Sequence, residues 1–368
     1  MKTTPANPCA DRLAELVRLA CRRRLDAVLV FGQKNVLSLS NVDCDNACLV
    51  IGVPPRAKGQ KTGREPKVVF TTDFRYVPAV RRTAPYLKVV DCDRDLDGTA
   101  IALVKELGRP VRIGFEGDIP AYRYLQLVKA FPKAKFVDLK DELLDLRAVK
   151  TPDELARVAA AEALNDQIWA LAQKDFKPGM TEKDLQRIIR AYMNALGDGE
   201  AFETIVCAGA NAAECHHVPD ETVWQKGEPL LVDMGVKLNG VCSDMTRCLP
   251  DARNAEYARV YAEVLAANRA AIAACKPGMT GRQLDAVARK RLRKAGYVKA
   301  FGHALGHGVG YEIHEHPVAS SRSETVLKPG MCVTIEPGVY LPGKLGVRIE
   351  DLVVVTESGC DVLSRSAK

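Results

Sequence analysis

The stretch LLVDMGVKLNGVCSDMTRCL, residues 230–249, reads as a β-hairpin. Asn239-Gly240 supplies the two residues that a tight hairpin turn needs at positive φ, and apolar runs flank it. Asp233 and Asp244 stand eleven residues apart. In a hairpin closed by an even-numbered loop, an odd separation puts both side chains on one face, directly opposite or diagonal. Two carboxylates facing each other repel unless something positive lies between them, and a shared divalent cation answers that directly. The bland alternative is a pair of surface carboxylates on a solvated hairpin; the apolar run leading into Asp233 argues against it.

The histidines point the same way. All six fall in two short segments: His216 and His217 in AECHHVP, and His303, His307, His314 and His316 in FGHALGHGVGYEIHEHP. Histidine titrates near neutrality and is the commonest metal ligand, so this crowding implies one polar site in the C-terminal half. The glycines of the second segment suggest backbone packed close to something. VTIEPGVY reads as a strand ending at Glu336 before a Pro-Gly turn, and GVRIEDLVVV as a single strand carrying Glu350 amid Val and Ile. Two Asp, one His and two Glu form an oxygen-rich set that could hold two divalent metals about 3.5–4 Å apart. Such hard ligands suit Mn2+ or Co2+, with Zn2+ and Fe2+ also compatible. There is no HExxH helix of a mononuclear zinc protease.

A chain of 368 residues is too long for one ordinary core, which predicts two domains. Its 47% apolar and 27% charged residues are ordinary for a globular protein. The net charge of +7 is spread along the chain, and the densest basic run, CRRRL at Cys21 to Leu25, lies in a helix-like stretch with acidic neighbours, as on a solvated helix face. With aromatics at 6% and no basic stripe between stacking rings, no nucleic-acid partner is expected. Twelve cysteines form no CxxC pair, and MKTTPANPCADRLAEL lacks the apolar core of a secretory signal. The cysteines are therefore read as reduced, mostly core-filling thiols of a cytoplasmic protein. The longest apolar runs, DAVLVFG and ACLVIGV, have strand length, so no membrane partner is expected.

Residues from about 10 to 145 alternate helix-like and strand-like segments, the signature of an α/β domain with a mixed sheet, expected over residues 1–147. Ala10 to Arg24 has helical spacing, as does Ala121 to Ala130; DAVLVF, ACLVIGV, KVVFTT and VRIGFE read as strands, with PRAKGQKTGREP a polar loop. Thr151-Pro-Asp-Glu154 marks the start of a long helix to about Gln173 and opens a second domain, 148–368. KPGMTEKDL and KPGMTGRQL, beginning at Lys177 and Lys276, suggest either an internal duplication or convergent turn chemistry.

Five segments in this order and spacing resemble the Xaa-Pro aminopeptidase and prolidase family, relatives of methionine aminopeptidase with the pita-bread fold. They are FETIVCAGANAAECHH, LLVDMG with CSDMTR, FGHALGHGVGYEIHE, TIEPGVY and GVRIED, spanning Phe202 to Asp351. TDFRY, Thr72 to Tyr76, is similar to part of the family's smaller N-terminal α/β domain, which is of the creatinase type. The resemblance implies two metal ions held by Asp233, Asp244, His307, Glu336 and Glu350. His307 is preferred to His303 because it stands seven residues before His314. It further implies that Glu336 handles the water proton, that His216 and His314 contact substrate, and that His303 and Arg348 support them. The expected activity is removal of a residue preceding proline, by an aminopeptidase or a dipeptidase acting as a homodimer. A methionine aminopeptidase-like specificity is the alternative within enzymes, and a metal-free binding module the alternative outside them. Ala-Glu-Cys before His216, where the family often has Ala-Leu-Pro, and Ala304 after His303 depart from the pattern. The role of His217 stays open between a structural one and substrate contact, and Cys215 and Cys242 between packing and inhibition by thiol oxidation.

Overall fold

In the first strands the apolar residues alternate between two cores. The computed structural model describes residues 9–53, 66–225, 227–249 and 254–368, and the chain divides into two units, Met1–Arg147 and Ala148–Lys368. The readings made for residues 1–8 and for most of the polar loop, 55–65, lie outside the described residues.

In the first unit β1 (Ala27–Val30), β2 (Ala47–Gly52), β3 (Lys67–Thr72), β4 (Lys88–Asp91), β5 (Arg112–Phe115) and β6 (Lys135–Asp138) form one sheet, ordered β4-β3-β2-β1-β5-β6. The β1–β2 and β2–β3 pairs are antiparallel and the rest parallel, so the sheet is mixed. The helices are α1 (Ala10–Arg22), α2 (Gln33–Ser40), α3 (Val77–Thr83), α4 (Leu96–Glu106), α5 (Ala121–Ala130) and α6 (Lys140–Ala148). Successive strand residues point to opposite faces. Val28, Val30, Leu49 and Ile51 accordingly pack with Leu16 of α1 and Val36 and Leu39 of α2. Ala27, Leu29, Cys48 and Val50 pack with Ala100 and Leu103 of α4 and Leu127 of α5. The helix expected to reach Arg24 ends at Arg22, and Arg24 takes φ 56°. The basic run is exposed, with Arg22 paired to Glu15 and Arg23 to Glu142.

The second unit begins with α7 (Pro152–Asp175) and α8 (Glu182–Leu196). The expected capping box is present: Thr151 Oγ1 accepts from Glu154 N and Glu154 returns the bond, a device worth about 1 kcal/mol. The hairpin α9 (Ala255–Ala274) and α10 (Gly281–Lys294) repeats the pattern. Thr181 caps α8 and Thr280 caps α10, each through a capping box. Gly179 and Gly278 adopt φ 93° and 86°, and donate to Trp224 O and Leu327 O, both at 2.9 Å. The two KPGMT segments therefore fold alike, and each docks against a matching Glu-Thr-Val segment, at Glu221 and at Glu324, that the sequence reading did not pair.

Antiparallel strands fill the rest: β7 (Ile205–Ala208), β8 (Leu230–Met234), β9 (Lys237–Leu238), β10 (Val241–Cys242), β11 (Met245–Leu249), β12 (Gly306–Gly308), β13 (Glu315–Ala319), β14 (Cys332–Ile335), β15 (Gly338–Leu341), β16 (Leu345–Arg348), β17 (Asp351–Val355) and β18 (Cys360–Val362). Sheets β11-β8-β7 and β13-β12-β14-β17-β18 hold most of them. In the hairpin, Asn239 and Gly240 both have positive φ, and Thr246 stands opposite Asp233. Asp244 is thus the diagonal neighbour of Asp233, on the same face.

Two strand readings need correction. GVRIEDLVVV is not one strand: the chain leaves β16 at Arg348 and enters β17, in a different sheet, at Asp351. Glu350 sits in the crossing, where its N–H donates to Thr246 O at 3.2 Å. Pro337-Gly338 is not a turn either. Glu336 and Pro337 link β14 directly to β15, whose Gly338 pairs with Arg348. All twelve cysteines are free thiols, nine of them buried. No described helix is long and apolar enough to cross a membrane.

Candidate active site

The hairpin, the glycine-rich segment and the two sheet crossings converge on one cavity of about 340 Å³ in the second unit. Asp233, Asp244, His307, Glu336, Glu350, His216, His303, His314 and Arg348 all line it, so the structure brings every residue singled out as a site candidate to one place. His217 is absent from the lining, and Cys215 is present whereas Cys242 is buried elsewhere.

At the floor, Asp244, His307 and Glu350 each offer one ligand atom within 4.8 Å of the others. His307 Nδ1 faces Gly308 O at 3.1 Å, which leaves Nε2 as the atom turned to Glu336 Oε1 (3.3 Å) and Asp244 Oδ2 (3.6 Å). Thr334 Oγ1 accepts from His307 N and donates to Glu336 Oε1 at 3.0 Å. Arg348 Nη2 donates to Asp233 Oδ2 at 2.6 Å, and its Nε donates to Thr246 Oγ1, which donates to Glu350 Oε2 at 2.7 Å. Asp233 Oδ1 is buried and has no hydrogen-bond partner among the described residues.

The electrostatics show what such a floor lacks. Burial pushes the Asp244 and Glu350 carboxyls well above the usual carboxylate range, and their acidic neighbours push further. Asp233 is raised by burial despite Arg348. For Glu336 burial also raises, but the hydrogen bond from His307 prevails and the carboxyl titrates low. Burial opposes charging of His307, yet Glu336 prevails there too and raises it. Five carboxylates, the exposed Glu203 and the four of the ligand set, share the cavity with a single guanidinium among the described lining residues. Buried like charges on that scale are costly unless cations intervene. The orphan Asp233 oxygen and a donor set of carboxylates plus one imidazole both fit divalent metal.

At the mouth, His216 and His314 are exposed, and the His314 ring stands 4.4 Å from that of His307. Burial lowers the pKa of both His314 and His303. His303 packs edge-on to Phe301, and its Nε2 lies 3.0 Å from Tyr340 Oη, which accepts from Arg348 Nη1 at 2.8 Å. Phe202, Ile205 and Ile313 give the cavity an apolar wall. Sequence reasoning missed Thr246, Thr334 and Tyr340. The first two lie two residues from Asp244 and Glu336, and the strand period could have placed them on the same face. Tyr340 reaches the site through the β15–β16 pairing, which no local signal reveals.

Comparison with known proteins accords with this geometry. The profile of metallopeptidase family M24 matches residues 156–357, and that of the creatinase/prolidase N-terminal domain matches residues 12–149. The chain is 36% identical over 259 residues to an Xaa-Pro dipeptidase of Pyrococcus furiosus, covering 70% of this chain and 74% of that one. Its fold is similar to that of an Xaa-Pro dipeptidase from Bacillus anthracis, with TM-score 0.89, 31% identity and 98% of each chain covered. It is likewise similar to an X-Pro aminopeptidase from Thermotoga maritima, with TM-score 0.83, 28% identity and 97% and 98% covered. The M24 match extends over more than half of the sequence, and the chain belongs to metallopeptidase family M24, with a creatinase-type α/β domain preceding the pita-bread domain.

Proposed function

We propose that this chain is a dinuclear metal-dependent exopeptidase that hydrolyses the bond between an N-terminal residue and a following proline. The observation that carries the reading is the convergence of four carboxylates and the His307 imidazole on a cavity with two exposed histidines at its mouth. Asp233, Asp244, His307, Glu336 and Glu350 would hold the two cations, Mn2+ or Co2+ by donor chemistry. Bound there, the cations supply Lewis acidity and acidify a water.

The chain's own residues do the rest. Glu336, kept ionised beside His307, takes the proton of the attacking water and later passes one to the leaving nitrogen. His216 and His314 donate hydrogen bonds where negative charge develops on the scissile carbonyl. Arg348 fixes Asp233 and, through Thr246, Glu350. The leaving nitrogen of an Xaa-Pro bond carries no N–H, so its ring needs an apolar surface rather than an acceptor. Phe202, Ile205 and Ile313 offer one.

Hydrolysis of Ala-Pro, Ala-Pro-Ala and Met-Ala-Ser, after metal stripping and again with Mn2+, tests the reading. Metal-dependent cleavage of Ala-Pro alone marks a dipeptidase. Release of Ala from Ala-Pro-Ala marks an aminopeptidase. Release of Met alone moves the assignment to a methionine aminopeptidase-like enzyme, and no cleavage with any metal leaves a binding module.

A further inference from the structure

Glu182, the first residue of α8, is fully buried. A buried carboxylate requires partners, and this one has four. Its Oε1 accepts from Ala208 N at 2.6 Å and Asn211 Nδ2 at 3.0 Å. Its Oε2 meets His217 Nε2 at 2.7 Å and accepts from Asp220 N at 3.0 Å. Those donors bracket the whole segment from the end of β7 to Asp220, the segment that carries His216 to the cavity mouth. His216 is exposed, and its ring has no hydrogen-bond partner among the described residues. Its place is therefore set by the backbone on either side, and the nearest fixed point is its neighbour His217, whose side chain is only 9% exposed.

We propose that the Glu182–His217 pair is the positioning device of the reaction, holding the 208–220 segment so that His216 points into the cavity. Glu182, His217 and Asp220 also have the composition of a metal site. However, four protein donors already saturate the Glu182 oxygens, which makes the cluster an anchor. The pair differs in kind from the groups at the floor, because it touches neither the cavity nor its carboxylates. A misplacement of about 1 Å at a reacting group can cost about 10²-fold in rate, so an anchor one residue away is enough to govern turnover.

The inference rests on the reading of His216 as a substrate contact, and the test separates the two. Purified full-length protein is compared as wild type, H217A, H217Q, H216A and the double variant H216A/H217A, with Mn2+ and Ala-Pro-Ala or Ala-Pro, whichever is cleaved. H217A is expected to lower kcat about tenfold with KM nearly unchanged. H217Q, which can still donate to Glu182, is expected to restore most of it, and the double variant to be no worse than H216A. Amide exchange on the metal-free protein supplies a readout independent of turnover: Ala208 and Asp220 lose protection in H217A and in Glu182→Gln and keep it in H217Q. An impaired H216A alongside an H217A of wild-type kcat, or losses that multiply in the double variant, overturns the proposal. A fully active H216A overturns the underlying reading of His216 instead.

Discussion

Arg348 donates to Asp233 Oδ2 across 2.6 Å, and both groups lie in a cavity that Asp244, Glu336 and Glu350 also line. One guanidinium thus serves as the local counter-charge for the hairpin acid while Thr246 passes its hydrogen bonding on to Glu350. The planar fork of arginine suits this divided task, and a lysine ammonium cannot serve Asp233, Thr246 and Tyr340 in the same geometry.

Arg348→Lys should therefore keep the charge and lose the alignment. We expect kcat to fall about 10–100-fold and metal to be retained less well, the range found when partners that orient ligands are removed. Arg348→Ala should lower stability as well, since breaking a buried pair costs about 3–5 kcal/mol. Elemental analysis after dialysis, with kinetics at saturating Mn2+, checks both. Wild-type metal content and kcat in the lysine variant would show that the fork is not needed.

Metal removal should itself destabilise the second unit. A cation that binds the folded floor and not the unfolded chain adds about 2.7 kcal/mol at a concentration a hundred times its Kd. Chelation should accordingly lower Tm, and Mn2+ should restore it in a concentration-dependent way. In Asp244→Asn, which removes one buried charge, the response should shrink. Calorimetry with and without chelator reads this directly, and a Tm indifferent to chelator in the wild type would argue against a metal-loaded floor.

The parts of the site that were legible in the sequence are those set by local rules. Asn239-Gly240 announces its turn, and the odd spacing of Asp233 and Asp244 then fixes their shared face. Thr151, Thr181 and Thr280 announce their helices, because a cap acts within one turn. What escaped depends on long-range pairing. The break between Arg348 and Asp351 exists because β16 and β17 belong to different sheets, and the continuous apolar run GVRIEDLVVV gives no sign of that. The sequence left His217 open between a structural role and substrate contact, because its partner is Glu182, thirty-five residues away. Lys150 and Glu315, buried together, are farther apart still, and although Glu315 closes the segment FGHALGHGVGYEIHE, nothing local pairs it with Lys150.

That last pair yields an expectation about Gly310. A Cβ there would lie 2.2 Å from Glu315 Oε1 and 2.8 Å from Lys150 Cε, so only glycine leaves room for the ion pair. Glu315 follows His314 directly. Gly310→Ala should push the pair apart, lower Tm, and reduce kcat through displacement of His314. Lys150→Met, which leaves Glu315 without that cation, should lower stability by about 3–5 kcal/mol. Chemical denaturation checks both, and an unchanged midpoint in both variants would mean that the pair contributes nothing net.

The first unit offers a pH-dependent expectation free of the metal floor. Glu116 is buried, and its carboxylate accepts from Phe31 N, from Gly32 N at 2.7 Å and from Asn35 Nδ2 at 2.7 Å. Burial raises its pKa, and these hydrogen bonds oppose the rise without cancelling it. An acid whose folded pKa exceeds its unfolded value holds its proton longer when folded. Its contribution to stability is therefore fully present below the unfolded value, near 4.5, and is lost as pH rises through the folded value. Glu116→Gln removes the titration. The difference in unfolding free energy, wild type minus variant, should fall with rising pH just above 4.5 and level off once Glu116 is ionised in both states. Urea titrations of both proteins at half-unit steps from pH 4 to pH 8 measure that difference, and a difference that rises with pH would reverse the sign assigned to Glu116.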